Sequence, residues 1–548
     1  MKGIMQIILI SLFAILLRWC VTYHSYSGQG KPPMFGDYEA QRHWQEITLN
    51  LPIDKWYTNT TDNDLQYWGL DYPPLSAYHS LLLGYIANNI NSSYVKLHES
   101  RGISSEDHKY FMRLTVLCAD ILVYIPSIIY FMFSSQTSKA NEKEISNLFG
   151  FNRKHISLLI MLIYPGLILI DHGHFQYNCV SLGLFISTVA AMLQNSYIIG
   201  SFLFVVALNY KQMELYHALP IFFYILGKYS PLKKASWLFN LKMLLCISVT
   251  VVSTFAIVWL PFFKNLEIFT NVVSRLFPFG RGLFEDKVAN VWCTINVFYK
   301  IRNAFTNIQL AKICLIATMF EVLPSCINLY LNPQKEKFIT SLINCALAFF
   351  LFSFQVHEKS ILLVAIPVLL YFKTDPFSCF WFLIISHFSM LPLFLKDDLF
   401  TPYCATLTFY VCFIFWMCPD VFNNIKLPGN GNSTHDVRVT ANQRQTKIKV
   451  KSNKKKSFFA KIKRYISCYY KKASNVILSY NLNLWIVVLF YSSILGIIIL
   501  SIVSRFLKPP NRYPDLFVLL VSVYSCGHFI IFYIYFNYKQ FCTPGNIL

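Results

Sequence analysis

Long apolar runs separated by short polar segments dominate the pattern of this chain. A helix that crosses a bilayer needs about 17–25 mostly apolar residues. Nine runs are clear candidates, at residues 5–23, 110–134, 156–171, 240–262, 309–332, 376–394, 401–418, 483–505 and 514–537. Five shorter or less regular runs lie at 177–193, 197–211, 214–227, 337–354 and 360–373. The pattern predicts an all-α polytopic membrane protein with about 14 transmembrane helices and a long first loop at 24–109.

The first apolar run, 5–23, could in principle be a cleavable signal peptide. Small residues should then prepare the cleavage site, but Arg18 and Trp19 occupy that position. We therefore interpret the run as the first transmembrane helix.

Composition agrees with the membrane class. Of the 548 residues, 55% are hydrophobic and only 14% are charged, whereas an ordinary soluble domain has about 25% charged residues. A soluble fold of this length could not bury so much apolar surface, which excludes a cytosolic globular enzyme, a disordered chain and a disulfide scaffold. The 15 cysteines lie mostly within apolar runs, where cysteine acts as a small hydrophobic residue.

Charge sets the expected topology. The chain has 48 Lys and Arg residues against 27 Asp and Glu residues, a net charge of +21 that would suggest nucleic acid in a soluble protein. Much of this excess lies instead on loops 135–155, 333–337 and 419–482, between apolar runs. All three loops become cytosolic when both termini are placed in the cytosol, in agreement with the positive-inside rule. We expect loop 419–482 to be a solvated topogenic linker, although its basic run could also touch anionic lipid.

N-glycosylation sequons mark the opposite side. Those at Asn59 and Asn91 fall on the non-cytosolic side, which suits the lumen of the endoplasmic reticulum. A third, at Asn432, lies in the basic cytosolic loop, so we expect it to stay unmodified. The sequence thus predicts a multi-pass protein of the endoplasmic reticulum membrane.

The first non-cytosolic loop begins with acidic and aromatic residues. Asp37 follows the first helix by about fourteen residues, so it should lie close to the membrane surface. Asp71 and Tyr72 precede Pro73 and Pro74, and this rigid turn should hold both side chains in place. The simpler interpretation of each acid is a helix cap or a solvated loop charge.

A second polar segment, 171–176, joins two apolar runs and includes Asp171 and His174. Polar groups at a membrane boundary are costly unless they are used. His172 and His174 could ligate a metal, but no third ligand is close in the sequence. Contact with a ligand, or capping of the loop, is therefore favoured.

The loop 263–308 carries cations on the side where the positive-inside rule does not explain them. Arginine binds phosphate through its planar fork of donors, which makes Arg281 a candidate ligand. The alternative is an internal ion-pair network of Arg281 with Glu285, Asp286 and Lys287.

His357, Glu358 and Lys359 join two apolar runs with almost no loop between them. Charges in such a place are functional candidates, and His357 and Lys359 could face an anionic head group while Glu358 neutralises them. The loops together predict a membrane-embedded, non-cytosolic site with carboxylates at one end and cations with aromatic residues at the other. That arrangement suits a lipid-phosphate sugar, because cations stabilise a departing phosphate and a carboxylate takes the proton of an attacking hydroxyl.

Nucleotide chemistry finds little support. The chain has no phosphate loop and no dinucleotide fingerprint. Asp62–Asp64 matches the DxD pattern of nucleotide-sugar enzymes, but three residues in an acidic loop match easily by chance. Nucleotide sugars would also normally be on the cytosolic side.

The segment Gly36–Thr48 resembles the first-loop motif of the dolichyl-phosphate-glucose-dependent α-1,3-glucosyltransferases of the endoplasmic reticulum. Five further segments resemble other motifs of this family and occur in the family's order. They are Trp68–Ser80, Phe111–Arg113, Asp171–Asn178, Arg275–Cys293 and Gln355–Ser360. The resemblance is specific over residues 36 to about 360, and the rest matches in apolar character and helix number. Gly69–Ser80 looks like the enzymes that add the first glucose, because those that add the second have bulkier aromatic residues after the two prolines.

The resemblance implies a GT-C fold with a shared catalytic module at 1–308 and a variable transmembrane module at 309–548. It implies an inverting transfer of glucose from dolichyl-phosphate glucose to the terminal mannose of a dolichol-pyrophosphate-linked oligosaccharide, with an α-1,3 linkage. It further implies that neither a metal nor a cofactor is needed.

The resemblance also implies residue roles. Asp37 matches the family's catalytic aspartate and would be the base, and a single displacement needs only one such group. The implied substrate-binding residues are Tyr38, Glu39, Asp71, Tyr72, Asp171, His174, Arg281, His357 and Lys359.

Among these, Asp71 or Asp171 would orient sugar hydroxyls, and Arg281, His357 and Lys359 would hold the donor phosphate. Tyr38, Glu39 and His174 are weaker candidates for contact with the acceptor or with glucose.

Other functions stay open from the sequence. The nearest alternative is a sister enzyme that adds the second glucose, or another GT-C transferase that uses a lipid-phosphate sugar. A polytopic transporter is less favoured, because no repeat is visible and the key polar residues lie in loops rather than within helices. A catalytically dead scaffold is disfavoured by the presence of Asp37.

Overall fold

A computed structural model of the chain describes residues 2–134, 153–230, 237–278, 282–283, 287–418, 421 and 484–542. Within these ranges every regular element is a helix. The first ten α-helices are α1 (Lys2–Thr22), α2 (Gly36–Asn50), α3 (Pro74–Ile90), α4 (Glu106–Ala119), α5 (Ile125–Ser134), α6 (Arg153–Leu162), α7 (Pro165–Ile168), α8 (Asn178–Leu193), α9 (Tyr197–Tyr210) and α10 (Ala218–Lys228). The others are α11 (Trp237–Trp259), α12 (Leu266–Leu276), α13 (Val291–Phe298), α14 (Ile301–Ala304), α15 (Asn307–Leu331), α16 (Lys335–Phe352), α17 (Leu362–Tyr371), α18 (Pro376–Ser389), α19 (Leu391–Lys396), α20 (Phe400–Met417), α21 (Leu484–Phe506) and α22 (Leu516–Cys542).

Each of the nine clear apolar runs of the sequence coincides with a helix that is long and apolar enough to span a membrane. In the described part of the chain these helices are Gly3–Thr22, Glu106–Ser134, Arg153–Phe175, Trp237–Phe263, Asn307–Leu331, Pro376–Lys396, Phe400–Met417, Ile486–Phe506 and Leu516–Cys542. The all-α polytopic architecture is therefore confirmed. The five shorter runs coincide with α8, α9, α10, α16 and α17, and the total of 14 crossings stays a prediction.

One membrane helix, Arg153–Phe175, is almost wholly enclosed by the others. In its most apolar stretch 94% of the residues are buried, against 17% for Trp237–Phe263. It packs against α1 and α5 from the first half of the chain and against α18 and α20 from the second half. This helix therefore joins the two halves, and its last residues are held from both sides.

The end of this central helix differs from the sequence prediction. A polar loop was expected at 171–176, but the helix continues as a π-helical turn, Leu169–Phe175, and stops where Phe175 takes a φ of 90°. A loop at this depth would leave backbone groups without partners, whereas a π turn keeps them hydrogen-bonded while widening the helix. The turn consequently presents His172 and His174 to different neighbours.

The first loop, 24–109, folds into helices that pack against the end of α11. Its apolar residues form a second hydrophobic cluster, separate from the main core, whose buried members are Ala40, Trp44, Ile47, Trp56, Tyr57, Leu70, Ala77, Trp259, Phe262, Val272 and Leu276. Helices α2 and α3 contact each other within this loop. Burial of these large side chains fixes α2, and with it the residue at its beginning, Asp37.

Candidate active site

Asp37 lies in the first turn of α2, at a crossing of two backbone segments. The helix begins after Phe35, which has a φ of 55°, and Gly36 has a φ of 69°. A Cβ atom on Gly28 would lie 2.2 Å from the carbonyl carbon of Phe35, so only glycine allows this close approach. The crossing lets the Asp37 amide donate to Ser27 Oγ at 3.2 Å. The helix N-terminus favours a carboxylate at this position.

One oxygen of Asp37 accepts three hydrogen bonds. His174 Nε2 lies 3.0 Å and Gln176 Nε2 lies 2.6 Å from Asp37 Oδ2. Lys359 Nζ also donates to the same oxygen. The side chains of Asp37 and Lys359 are only 22% and 20% exposed. Residues far apart in the sequence thus meet at one carboxylate, whereas the sequence analysis had placed the carboxylates and the cations at opposite ends of the site.

Electrostatics keep this pair ionised. Burial alone would raise the pKa of the Asp37 carboxyl, but the charges of Lys359 and His174 outweigh burial and hold that pKa well below its usual range. Burial alone would lower the pKa of the Lys359 ammonium, but Asp37 outweighs it and raises that pKa above its usual value. At neutral pH Asp37 is therefore a carboxylate and Lys359 is an ammonium ion.

Asp37 and Lys359 line a cavity of about 600 Å³, large enough for a drug-sized ligand. Of the other predicted site residues, Asp71, Tyr72 and His357 also line it. Polar and aromatic lining residues that the sequence analysis did not assign are Gln41, Trp44, Gln66, Trp68, Gln176, Asn178, Ser181, Lys211, Gln212, Arg275, Gln355 and Ser360. The cavity thus combines acidic, basic and aromatic side chains, as the loops predicted.

Asp71 and Tyr72 are held in place through their backbone. The Asp71 carbonyl accepts from Gln212 Nε2 at 3.0 Å, and the Tyr72 carbonyl accepts from Tyr57 Oη at 2.7 Å. The Arg275 guanidinium donates to the Gly69 carbonyl at 2.7 Å. Because α3 begins directly afterwards, the segment is fixed at both ends.

Lys211 is a cavity cation that the sequence analysis missed. Its side chain is buried, and Nζ lies 2.5 Å from Asn178 Oδ1 and 4.9 Å from the centre of the Tyr72 ring. Lys211 ends a predicted apolar run on the non-cytosolic side. A lysine there is not explained by the positive-inside rule, and that signal could have identified it.

Asp171 is placed as a helix cap and does not line the cavity. Its carboxylate accepts from the Cys179 amide at 2.7 Å and from Asn178 Nδ2 at 2.8 Å, at the start of α8. Of the two interpretations favoured for the segment 171–176, capping describes the contacts of this acid. Through Asn178, Asp171 also supports Lys211.

Tyr38 and Glu39 follow Asp37 in the sequence but point away from the cavity. Tyr38 Oη lies 3.0 Å from His108 Nδ1, and its ring stacks on Tyr26. Glu39 is fully buried and pairs with Arg42 at 2.6 Å. A helix turns about 100° per residue, so neighbours of a cavity residue face elsewhere.

Two further predictions concern the phosphate ligand Arg281 and a metal site at the two histidines. Arg281, with Glu285 and Asp286, lies outside the described residues. His172 and His174 do not share a ligand, since His172 contacts Asp120 while His174 contacts Asp37. No group of three or more His, Cys, Asp or Glu side chains that could hold a metal occurs within the described ranges.

His174 has a second acidic partner that the sequence analysis also missed. Asp397 Oδ2 lies 2.5 Å from His174 Nδ1, and the Asp397 side chain is 1% exposed. Asp397 follows α19 in a short polar segment for which the sequence predicts a solvated loop. The site therefore contains a chain of Asp397, His174 and Asp37.

Comparison with known proteins gives consistent relatives. The model of the "ALG6, ALG8 glycosyltransferase family" matches residues 14–535. A rat protein named dolichyl pyrophosphate Man9GlcNAc2 alpha-1,3-glucosyltransferase is 47% identical over 528 residues, which is 96% of this chain and 94% of that protein. A chicken protein of the same name is 46% identical over 526 residues, with the same coverage. A Drosophila melanogaster protein, named a probable enzyme of this kind, is 40% identical over 98% of this chain and 99% of its own length.

Proposed function

The chain belongs to the ALG6/ALG8 glycosyltransferase family, and from this membership we propose that it adds the first α-1,3-linked glucose to a dolichol-pyrophosphate-linked Man9GlcNAc2 oligosaccharide. The donor is dolichyl-phosphate glucose. The reaction inverts the anomeric centre, so the β-linked donor gives an α-linked product. The relatives named after Man9GlcNAc2 support the acceptor, and the site supports the chemistry.

The observation that carries the proposal is the pattern of hydrogen bonds to the Asp37 carboxylate at the cavity wall. All three side-chain hydrogen bonds recorded for its carboxylate within the described residues end on Oδ2. Oδ1 is therefore the oxygen that can receive an acceptor hydroxyl. Asp37 takes the proton from the mannose hydroxyl as that oxygen attacks C1 of glucose, and the bond from C1 to the phosphate oxygen breaks. One carboxylate base is sufficient for a single, inverting displacement.

Negative charge moves to the phosphate as the bond breaks. We assign Lys359 and His357 to this charge, together with Arg281 by its position in the family. Lys359 is shared, because in the structure its ammonium group is bound to Asp37. As Lys359 turns toward the phosphate, the charge that lowers the pKa of Asp37 recedes, and the carboxylate becomes a stronger base at the moment it is needed.

Sugar recognition is assigned to a second pair of cavity residues. Asp71 and Tyr72 line the cavity and are rigidly held, which suits orientation of sugar hydroxyls and ring contact. Asp171, Tyr38 and Glu39 remain predicted substrate-binding residues by resemblance alone. Their contacts favour a supporting role instead, since each is bound within the protein and none lines the cavity.

We propose that the site faces the lumen of the endoplasmic reticulum and that both termini are cytosolic. The side chains of Asn59 and Asn91 are exposed, which suits glycosylation on the lumenal side. The proposed modules, 1–308 and 309–548, meet at the site, because Asp37 comes from the first and Lys359 from the second. Asn432 and the basic loop around it lie outside the described residues.

Transfer of defined substrates tests the function. The purified protein in detergent is given synthetic dolichyl-phosphate glucose and a lipid-linked acceptor that ends in mannose, with and without a chelator. We expect one new α-1,3-linked glucose on the product, at a rate that the chelator does not change. A parallel reaction uses an acceptor that already carries one glucose.

Each outcome distinguishes a rival. Transfer only to the acceptor that already carries glucose would favour the sister enzyme that adds the second residue. Transfer from another lipid-phosphate sugar would favour a different GT-C enzyme. No transfer from any lipid-phosphate sugar by a folded sample would contradict the proposal and favour the transporter.

A further inference from the structure

His174 bridges two carboxylates that the sequence separates by 360 residues. Its Nδ1 lies 2.5 Å from Asp397 Oδ2, and its Nε2 lies 3.0 Å from Asp37 Oδ2. The side chains of His174 and Asp397 are 3% and 1% exposed, whereas that of Asp37 is 22% exposed. Of these three side chains, only Asp37 is therefore open to substrate.

The geometry fixes the protons on the imidazole. An ionised carboxylate can only accept hydrogen bonds, and a neutral imidazole has only one N–H donor. Both ring nitrogens face a carboxylate, so the ring satisfies both partners when each nitrogen carries a proton. The second carboxylate, Asp397, offsets the charge of this buried cation.

Hydrogen bonds to the backbone fix the positions of Asp397, His174 and Asp37 relative to one another. The Ser25 hydroxyl donates to the Asp397 carbonyl, the Ser27 amide donates to the His174 carbonyl at 3.1 Å, and the Asp37 amide donates to Ser27 Oγ at 3.2 Å. One short segment that follows α1 thus ties all three residues together. Such fixed geometry is what a positioned catalytic group requires.

On the proposed function, we infer that Asp397 is a positioning residue for glucose transfer. It orients His174 and keeps its ring doubly protonated, so that His174 occupies Oδ2 of Asp37 and leaves Oδ1 for the acceptor hydroxyl. Asp397 never touches substrate, and its effect passes through His174. No proton needs to leave along this chain, because Asp37 gives its proton back through the open cavity after the reaction.

Three other charged residues lie near Asp397, His174 and Asp37. Lys359 binds the Asp37 end, and Arg113 interacts electrostatically with Asp397. The neighbouring acid, Asp398, is 75% exposed and pairs instead with Arg505 at 3.3 Å. Asp398 is therefore a matched control, since it has the same charge one residue further along without a hydrogen bond to the site.

The test compares kcat and KM of Asp397→Asn, Asp397→Glu, His174→Gln and the double variant Asp397→Asn with His174→Gln. We expect Asp397→Asn to lower kcat by about 10- to 100-fold, the scale of one charge-assisted hydrogen bond to a reacting group. KM for donor and acceptor should change less than about threefold. Asp397→Glu keeps the charge and should be more active than Asp397→Asn.

The double variant decides whether Asp397 acts through His174. Residues that act as one unit are not additive, so the double variant should be about as active as His174→Gln alone. Asp398→Asn should keep the activity of the original protein. Full activity of Asp397→Asn, equal losses in the Asn and Glu variants, or single effects that multiply in the double variant would each overturn the inference.

The two proposals fail separately. If the unmutated protein transfers no glucose, the proposed function is wrong. If it transfers glucose and Asp397→Asn does so equally well, only the role of Asp397 is wrong. Thermal unfolding of each variant in detergent identifies any sample that has lost its fold, and Asp397→Glu then supplies the comparison.

Discussion

Two histidines of the same π-helical turn bind two different carboxylates. His174 and Lys359 both bind Asp37, and we call these three residues the open cluster, because the side chains of Asp37 and Lys359 are 22% and 20% exposed and line the cavity. His172 meets Asp120 and Arg18, which we call the closed cluster, because all three side chains are 1–2% exposed. Each cluster consists of a carboxylate, a histidine and a cation.

Access, not residue type, separates the two clusters. Arg18 Nε lies 2.9 Å from Asp120, and Arg18 Nη1 also donates to the Leu162 carbonyl at 2.8 Å. The closed cluster therefore ties α1 to the central helix and is shielded from solvent. The open cluster shares its cation with a cavity, so Lys359 can exchange Asp37 for a substrate group. Similar chemistry thus serves stability in one place and, by our proposal, catalysis in the other.

The largest expected effect is on the stability of the closed cluster. Arg18→Met leaves a buried carboxylate without its cation, which costs about 3–5 kcal/mol of folding free energy. We expect a clear loss of thermal stability in detergent, while the molecules that remain folded keep their turnover. The control is Arg505→Met, which removes an exposed pair worth at most about 1 kcal/mol. Equal stability of the two variants would contradict the structural role of the closed cluster.

The open cluster should show the opposite response. Asp37→Asn keeps the size of the side chain and loses the base, so turnover should fall at least about a hundredfold. Its thermal stability should change much less than that of Arg18→Met. Steady-state transfer and thermal unfolding of the same samples measure both quantities. A loss of stability that explains the loss of turnover would remove the contrast between the clusters.

The pH dependence of the open cluster gives a smaller, signed effect. Lys359 lowers the pKa of Asp37, so the carboxylate and the stability of this pair persist until the pH falls through that lowered value. In Lys359→Met the largest of the charges that lower this pKa is gone, so burial raises the pKa of Asp37 relative to the unmutated protein. We expect the acidic limb of kcat/KM to move to higher pH.

The control for this experiment is Lys96→Met, at an exposed lysine that pairs with Glu99. Its pH profile should match that of the unmutated protein. An unchanged acidic limb in Lys359→Met would show that Lys359 does not control Asp37.

The smallest predicted effect concerns the donor phosphate. His357 lines the cavity close to Lys359, and His357→Ala removes one contact to a negatively charged group. KM for dolichyl-phosphate glucose should rise by about tenfold, the scale of one hydrogen bond to a charged group, and KM for the acceptor should change less. His98→Ala, at an exposed histidine that pairs with Asp62, serves as the control. A larger change for the acceptor would move His357 to the other substrate.

Membrane architecture was the most predictable part of the molecule. Length and apolarity are local properties of the sequence, so all nine clear runs coincide with helices long enough to span a membrane within the described ranges. The sequence analysis also named Asp37, His357 and Lys359, and all three line the cavity. His357 and Lys359 drew attention because charges between apolar runs are conspicuous, whereas Asp37 was named mainly by resemblance. The π turn at 171–175 was missed, because the sequence there is as polar as a loop.

Long-range partners could not be predicted. Asp397 lies 223 residues from His174, and only the tertiary fold brings the two side chains together. Tyr38 and Glu39 were predicted to bind substrate together with Asp37, but helix geometry turns both side chains away from the cavity. Asp171 was predicted to orient sugar hydroxyls, but its carboxylate accepts hydrogen bonds at the start of α8, a contact that the sequence does not reveal.

The most direct test of the central claim is the single-turnover rate of glucose transfer with donor and acceptor both saturating. This rate reports the chemical step and not binding. We predict that Asp37→Asn is at least about a hundredfold slower than the unmutated protein, and that the control Asp54→Asn, at a carboxylate that is 43% exposed, is unchanged. A single-turnover rate of Asp37→Asn equal to that of the unmutated protein would show that Asp37 is not the base.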